Sequence, residues 1–587
     1  TLFALVLAIG TIVYDAIIVV EAVQTRFDEG YRSPYKASVD AMSGISSAIV
    51  TSTLVFMAVF VPVSFMGGTS GIFYTQFGIT MADAVGISAV NALTLSPALC
   101  ALILRPNEIL VEGKRPEFST RFRMAFDSAF KRIVLKYKSG TKVFVKHKWL
   151  AWSSLGLAVL SLGYLMSTTK TGLVPSEDTG SIFVSLDAPA GSTLAETASI
   201  MNKVEKELKE IPQIDNFNKV AGFGMGSGSG SSHGMFIIKL KHWDERQDEE
   251  SSVDAISEEI YRRTAGIKNA NIFVFSPPMI SGYGTGNSFE LYIQDRSGKG
   301  IDALSKVTDG FLAELNKRPE IQMAYTSFSA NFPQYRVDVD EAQCQRAGTT
   351  TDAVLEVLSG YFGSIYASNF NRFTKLYRVI IQAPSDSRRN MQSLDNIFVR
   401  TSGGMAPVSQ FVKLTKTYGA ESLTRFNMFS SINVQGMPAE GYSSGDVINA
   451  VSEVAVQTLP TGYGYEYSGM TREEEQMAGS HDTIIIYGVC ILFIYLILCA
   501  LYESVFIPMA VILSVPFGLM GSFLFARIWG IENNIYLQTG LIMLIGLLSK
   551  TAILMTEYAT ERRQAGMSLT QAAMSAATVR FRPILMT

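Results

Sequence analysis

The chain has 587 residues and a formal net charge of −3, with 48% hydrophobic and 17% charged residues. This is too apolar for a disordered chain, and without an overall basic field it gives nucleic acid no footing as a partner. Its four cysteines, Cys100, Cys344, Cys490 and Cys499, show neither a disulfide framework nor metal-type spacing, and nothing in the sequence calls for a cofactor.

A hydrocarbon core about 30 Å thick needs about 20 apolar residues of helix to cross it. Seven segments meet that length: 2–23, 45–65, 77–104, 149–166, 483–501, 507–529 and 537–555. The chain opens directly in an apolar run, so the numbered sequence is expected to start in mid-protein. Residues 105–148 carry twelve Lys/Arg against four Asp/Glu, and Arg562, Arg563, Arg580 and Arg582 follow the last span. Basic loops face the cytoplasm. The long polar stretch, about 167–482, then lies on the opposite side. Residues 118–145 interleave basic residues with Phe122, Phe126, Phe130, Ile133 and Val134, which predicts an amphipathic helix on the cytoplasmic membrane surface.

A shift of 536 positions aligns the two ends of the chain without a gap. Ile9, Gly10, Ala16, Ile17, Glu21, Arg26, Gly30, Ala37, Ala41 and Thr51 meet identical residues. Both copies run inward, so the repeat is parallel and relates helices about an axis along the membrane normal. A matching first portion is expected before Thr1, and more helices after Thr587. Charges within a bilayer are costly and are kept for pathways or proton relays. Asp15 is central in IVYDAIIVV and Lys550 in GLLSKTAIL. The repeat places Tyr14 opposite Lys550 and Asp15 opposite Thr551, so Asp15 and Lys550 are expected to meet as a switchable ion pair. A static pair that fixes helix packing is the alternative. Asp83 is a second candidate near a helix end, and Glu21 and Glu557 are expected at the interface.

The strings LAIGTIVYDAIIVVEAV, FVPVSFMGGTSGIFYTQF, LTLSPALCALIL, LCALYESVFIPMAVILSVPFGLMG, GLIMLIGLLSKTAILMTEYA and VRFRPILMT resemble the hydrophobe/amphiphile efflux branch of the resistance-nodulation-division (RND) superfamily. The resemblance covers essentially the whole chain. It implies helices four to eleven of a twelve-helix subunit: helix four at 1–23, helices five and six at 24–104, the basic helix at 105–148, helix seven at 149–167, helices eight to ten at 481–558, and a loop with the start of helix eleven at 559–587. Asp15, Lys550, Arg580 and Thr587 match the family's proton-relay positions, and Tyr14 stands where the family has a further Asp.

The polar region alternates strand and helix patterns. SIFVSLDAP, LAETASIMNKVEKELKEI and MFIIKLKHW read as strand, helix and strand, and the cycle recurs from SFELYIQD through IDALSKVTDGFLAELNKR to QYRVDVD. Such βαβ units predict an α+β architecture with antiparallel sheets. The fold class is therefore a membrane helical bundle with a parallel internal repeat, plus α+β periplasmic subdomains with ferredoxin-like βαβ units. The resemblance implies porter subdomains at 168–332 and 426–480, with a docking insertion at 333–425 between them. VAGFGMGSGSGSSHG reads as a Gly/Ser-rich loop, with His233 as a solvated residue in it. In the family the matching loop is a switch between drug pockets, here Gly222, Gly224 and Gly226 with Phe223 and Met225. Val220, Ile237, Phe273, Phe275 and Pro278 match pocket-lining positions.

The implied function is proton-driven efflux of amphiphilic small molecules by a secondary transporter rather than an enzyme. It would sit in the inner membrane of a Gram-negative cell as a homotrimer, with a periplasmic adaptor and an outer-membrane channel as partners. One alternative is a heavy-metal exporter of the same superfamily, for which Met225, Met235 and Met279 would supply soft thioethers. The other is an accessory factor in lipid or protein translocation.

Overall fold

A computed structural model describes residues 2–586, apart from 66, 106–117, 176, 226–227, 285–288 and 480–481. Helices α1 (Leu2–Asp28), α2 (Pro34–Val63) and α3 (Gly68–Ile103) pack on one another. Pro34 suits the first turn of α2, where the missing N–H has no intrahelical acceptor, and the Ser33 side chain accepts from the Lys36 amide. Helix α4 (Phe118–Lys146) runs into α5 (Lys148–Thr168) with a bend at His147.

The polar region begins with β1 (Ser181–Asp187), α6 (Leu194–Lys209), β2 (Ile214–Gly224), β3 (Gly228–Leu240), α7 (Val253–Thr264) and β4 (Asn271–Phe275). Its four strands form one antiparallel sheet in the order β2-β3-β1-β4. Ile182, Val184 and Leu186 alternate along β1 and, with Phe236 and Ile238, meet Met201, Val204 and Ile260 of the two helices. A capping box starts α6: Thr193 accepts from the Glu196 amide and Glu196 accepts from the Thr193 amide.

A second unit has the same plan. It comprises β5 (Phe289–Asp295), α8 (Ile301–Leu315) and β6 (Ile321–Tyr325), and resumes later. Between its halves lie β7 (Phe332–Val339), α9 (Glu341–Ala347), α10 (Thr351–Leu358), the hairpin β8 (Ile365–Arg372) and β9 (Lys375–Ile381), the pair β10 (Phe398–Thr401) and β11 (Gly404–Pro407), and β12 (Val412–Gly419). Strands β7 and β12 pair from Phe332–Gly419 to Val339–Val412, which brings the two ends of this stretch together. It has its own core around Cys344, Val354, Leu394, Val399 and Phe411. The chain then returns through β13 (Thr424–Phe426), β14 (Phe429–Pro438), α11 (Ser444–Thr458) and β15 (Tyr463–Tyr467). The second sheet runs β13-β14-β5-β15, with β6 also on β14.

Helix α12 (Gly469–Gly479) leads to α13 (Asp482–Tyr502), α14 (Ile507–Ile512), α15 (Val515–Ile528), α16 (Ile535–Gln564) and α17 (Leu569–Met586). Among the described residues six helices are long and apolar enough to cross a membrane, and Tyr487–Tyr502 is a shorter apolar helix. The expected span at 507–529 is one of the six, at Ile507–Ile528, with a turn at Leu513–Ser514. Pro516, in the first turn of α15, has no N–H to continue the ladder, which is why the turn falls there. Phe56, Phe60, Tyr74, Cys490, Ile494, Ile542 and Ile545 form the bundle core. A Cβ on Gly546 would lie 2.9 Å from the Phe56 ring, so α16 and α2 approach closely there.

The internal repeat reappears in backbone detail. Gly30 and Gly566, 536 positions apart, both hold positive φ, at 104° and 95°. Gly30 donates to Phe27 and Tyr31 to Arg26; Gly566 donates to Arg563 and Met567 to Arg562, the same bonds one repeat later.

Candidate functional site

Two places gather the residues singled out from the sequence. The first lies inside the helical bundle. Asp15 is 0% exposed and Lys550 2% exposed, and Lys550 Nζ stands 2.5 Å from Asp15 Oδ1. Ser88 of α3 donates to Asp15 Oδ2 at 3.2 Å, and the same hydroxyl lies 3.0 Å from the Ile12 carbonyl. One hydroxyl proton is shared between the two acceptors. Burying two charges is tolerated only with a close partner and further hydrogen bonds, and Asp15 has both.

Tyr14 lines the other side of Lys550. The Nζ stands 5.1 Å from the centre of its ring, a cation–π contact. The Tyr14 hydroxyl is 3.2 Å from Thr551 Oγ1, which itself donates to the Leu547 carbonyl, so Tyr14 is the donor. Arg580 of α17 lies over the Tyr558 ring at 5.5 Å, and its Nε has no hydrogen-bond partner among the described residues. Thr587 lies outside the described residues. Asp83 is exposed on α3, away from the pair. Glu21 and Glu557 are half-buried, and Glu557 accepts from Ser47 at 2.9 Å. Ser88 carries no signal in the sequence: nothing distinguishes it from other helix serines until α3 packs on α1.

The second place is the helix-free face of the first sheet. Residues directly opposite in an antiparallel pair share a face. Val220 pairs with Met235, Met235 with Ser185 and Ser185 with Phe273. In the next row Asn218 pairs with Ile237, Ile237 with Phe183 and Phe183 with Phe275. Val220, Ile237, Phe273 and Phe275 therefore line one surface, opposite the helices. Val220 and Ile237 remain 37% and 39% exposed. Phe273 stacks on Tyr325 of β6, ring centres 4.0 Å apart, so this face looks onto the second unit. Phe183 and Tyr325 belong to the surface and were missed. The alternation along SIFVSLDAP, with Phe183 opposite in phase to Ile182 and Val184, held the signal for Phe183.

Pro278 lies elsewhere. With Met279, Phe289, Tyr442, Val447 and Glu474 it lines a cavity of about 740 Å³, where the polar region meets the start of α16. Phe223 is 42% exposed at the turn end of the β2–β3 hairpin, and Met225 follows it. Gly222 has φ 86°, and a Cβ there would meet Leu194 at 3.3 Å. Gly224 pairs with Gly228, and Gly226 lies outside the described residues. Met225 at the hairpin end, Met235 in mid-strand and Met279 in the cavity wall do not form one thioether cluster.

The expected Gly/Ser-rich loop is largely a β-hairpin. Strand β2 pairs with its two ends, at Phe223–Ser229 and Gly224–Gly228 and again from Ala221–Gly234, and β1 takes up His233 and Gly234, which overrides the loop composition. His233 is a correction: it is buried on β3, not solvated. Its Nδ1 is 2.7 Å from Asp187 Oδ1, and its Nε2 is 3.4 Å from Glu421 of the β12–β13 connection. The bond to Asp187 outweighs burial and raises the imidazole above its ordinary range, and Glu421 adds to this.

The sequence matches the AcrB/AcrD/AcrF family over residues 1–587. It is 34% identical over 590 residues to the multidrug/solvent efflux pump membrane transporter MepB of Pseudomonas putida, covering all of this chain and 55% of that protein. It is 34% identical to the toluene efflux pump membrane transporter TtgE of the same species and 32% identical to the multidrug resistance protein MdtF of Escherichia coli, covering 56% of each. The chain thus spans a little over half the length of these curated relatives.

Proposed function

Since the chain belongs to the AcrB/AcrD/AcrF family, a family of multi-pass membrane proteins, we propose that it forms part of a secondary transporter that exports amphiphilic small molecules in exchange for protons. The observation that carries this reading is the Asp15–Lys550 pair, fully enclosed among apolar helices. A carboxylate in such a place is held ionised by its ammonium partner. A proton arriving on Asp15 removes that attraction, frees Lys550, and changes which packing of α1 against α16 is favoured. Ser88 would hold the carboxylate in both states, and Arg580 is close enough to α16, over Tyr558, to feel the change.

The substrate surface would be the helix-free face bearing Val220, Ile237, Phe273 and Phe275, continued by Phe223 at the hairpin end. It is apolar, aromatic and open, and such surfaces hold varied ligands by packing rather than by directed bonds. The curated relatives named for multidrug, solvent and toluene efflux support that substrate class. Residues 168–332 and 426–480 would be porter subdomains. Each of the two β-α-β-β-α-β runs has the strand order of a ferredoxin-like unit. Residues 333–425 would be a docking insertion, as the β7–β12 root suggests. Its β8–β9 hairpin exposes apolar residues on both faces, Tyr366, Leu376 and Ile380 on one and Ile365 and Phe370 on the other, which suits self-association and supports a homotrimer. The inner membrane of a Gram-negative cell, a periplasmic adaptor and an outer-membrane channel complete the reading.

The test is export of a fluorescent amphiphile from pump-deficient Gram-negative cells carrying the complete gene. The expected result is that wild type lowers accumulation, and that Asp15→Asn and a protonophore each abolish the effect. Undiminished export by Asp15→Asn would make the pair purely structural.

A further inference from the structure

Helix α4 is not used by the transport reading. From Ser128 to Lys146 it carries six Lys/Arg and no acidic residue. At about 100° per residue, Phe126, Phe130, Ile133, Val134, Tyr137, Phe144 and Val145 fall within an arc of about 120°. Lys131, Arg132, Lys136, Lys138, Lys142 and Lys146 occupy the opposite side. All six cations are exposed, and none forms an ion pair among the described residues. Only part of the apolar arc is covered: Tyr137 stacks on Phe581 of α17 at 4.2 Å, and Arg582 lies 5.7 Å over Phe130. Ile133 and Phe144, in the same arc, stay about half exposed, at 50% and 49%.

A solvated charge run does not need an open apolar arc beneath it, and an acidic protein or nucleic acid would leave Ile133 and Phe144 in water. A bilayer surface satisfies both sides at once: acyl chains take the apolar arc, and anionic phosphates meet lysines whose stems reach upward from it. We propose that α4 is a docking face for anionic phospholipids of the cytoplasmic leaflet, and that the lipid held there fixes the position of α17 through the Tyr137–Phe581 stack. This rests on the sidedness taken above, with α4 at the cytoplasmic face. Through α17 it connects lipid charge to Arg580, two residues before Arg582 and one before Phe581.

The complete transporter is reconstituted in nanodiscs of phosphatidylcholine alone or of equal parts phosphatidylcholine and phosphatidylglycerol, without substrate. Phospholipid retained by the protein is then counted by native mass spectrometry. Wild type is expected to retain phosphatidylglycerol in preference to phosphatidylcholine. Replacing Lys131, Lys136, Lys138, Lys142 and Lys146 by Gln should abolish the preference, and replacing the same five by Arg should keep it. The Arg variant guards against mere misfolding or altered insertion. Equal retention of the two lipids by wild type, or an unchanged preference in the Gln variant, overturns the proposal. Tyr137→Ala separates the second half: phosphatidylglycerol should still bind, while the rise in proton-coupled export that it gives wild type in liposomes should be lost. If Tyr137→Ala keeps that rise, the lipid does not act through α17. Lipid retention is read without transport, so failure of the efflux reading leaves the first result interpretable.

Discussion

His233 shows how much one residue's role depends on what folds around it. In sequence it sits in a run of glycine and serine; in the fold it joins Asp187 of β1 to Glu421 beyond β12. Its folded pKa is raised by Asp187. The stabilisation is therefore full below the unfolded value of about 6.5 and is lost as pH rises through the folded value. Thermal unfolding followed across that range should show wild type losing stability toward alkaline pH, and His233→Gln should flatten the slope. Below the unfolded pKa the variant should be less stable by about 1.5–3 kcal/mol, the range for a hydrogen bond to a charged group. Tyr14 offers a contrast. Among the described residues its hydroxyl bonds to Thr551 alone, so Tyr14→Phe should cost about 1 kcal/mol in thermal unfolding and leave export in place, whereas loss of export would show that the phenol takes part in proton movement. Asp15 and Lys550 were legible because charge inside an apolar run is conspicuous and the repeat gave their relative depth. Ser88 was not, because a serine in a helix earns its meaning only from the neighbour it faces.

At the level of elements, periodicity was a sound guide wherever one face of a segment is buried. Strand β1 alternates, α6 and α8 keep a 3.6-residue stripe, and each formed as expected. Composition misled at the β2–β3 hairpin, where strand pairing decides the backbone; at 507–529 it held, since Ile507–Ile528 is long and apolar enough to cross a membrane, with a turn at Leu513–Ser514 ahead of Pro516. Two substitutions probe these local rules. Thr193→Ala removes the acceptor for the Glu196 amide at the start of α6 and should cost about 1 kcal/mol, read from urea unfolding of the polar region within the whole protein. Gly546→Ala gains helix propensity but drives a methyl into Phe56, 2.9 Å away. Overpacking of about 1–3 kcal/mol should prevail, seen as a lower midpoint in thermal denaturation of the detergent-solubilised protein; an unchanged midpoint would mean that α2 and α16 separate freely.

Across the whole molecule, the two β-α-β-β-α-β units meet at Phe273 and Tyr325, and His233 reaches from the first toward the connection that re-enters the second. A double-mutant cycle of Phe273→Ala and Tyr325→Ala should give a coupling of about 0.5–1.5 kcal/mol in unfolding; additive effects would show that the stack contributes nothing beyond burial. The cycle of strand and helix patterns pointed to this duplication, but the face each strand presents emerged only from the registers. The β7–β12 ladder has a consequence for the order of events as the chain is made. Strand β6 ends at Tyr325 and its partner β14 begins at Phe429, so the second unit stays open until everything between has been synthesised. Closing so long a loop costs entropy that grows with its length, and once the ladder has pinned the ends of the intervening stretch together, little of that cost is left for β6 and β14 to meet. The stretch can therefore mature as an independent cargo on a stem, and the unit beneath it snaps shut late, when Phe332 and Gly419 already stand side by side.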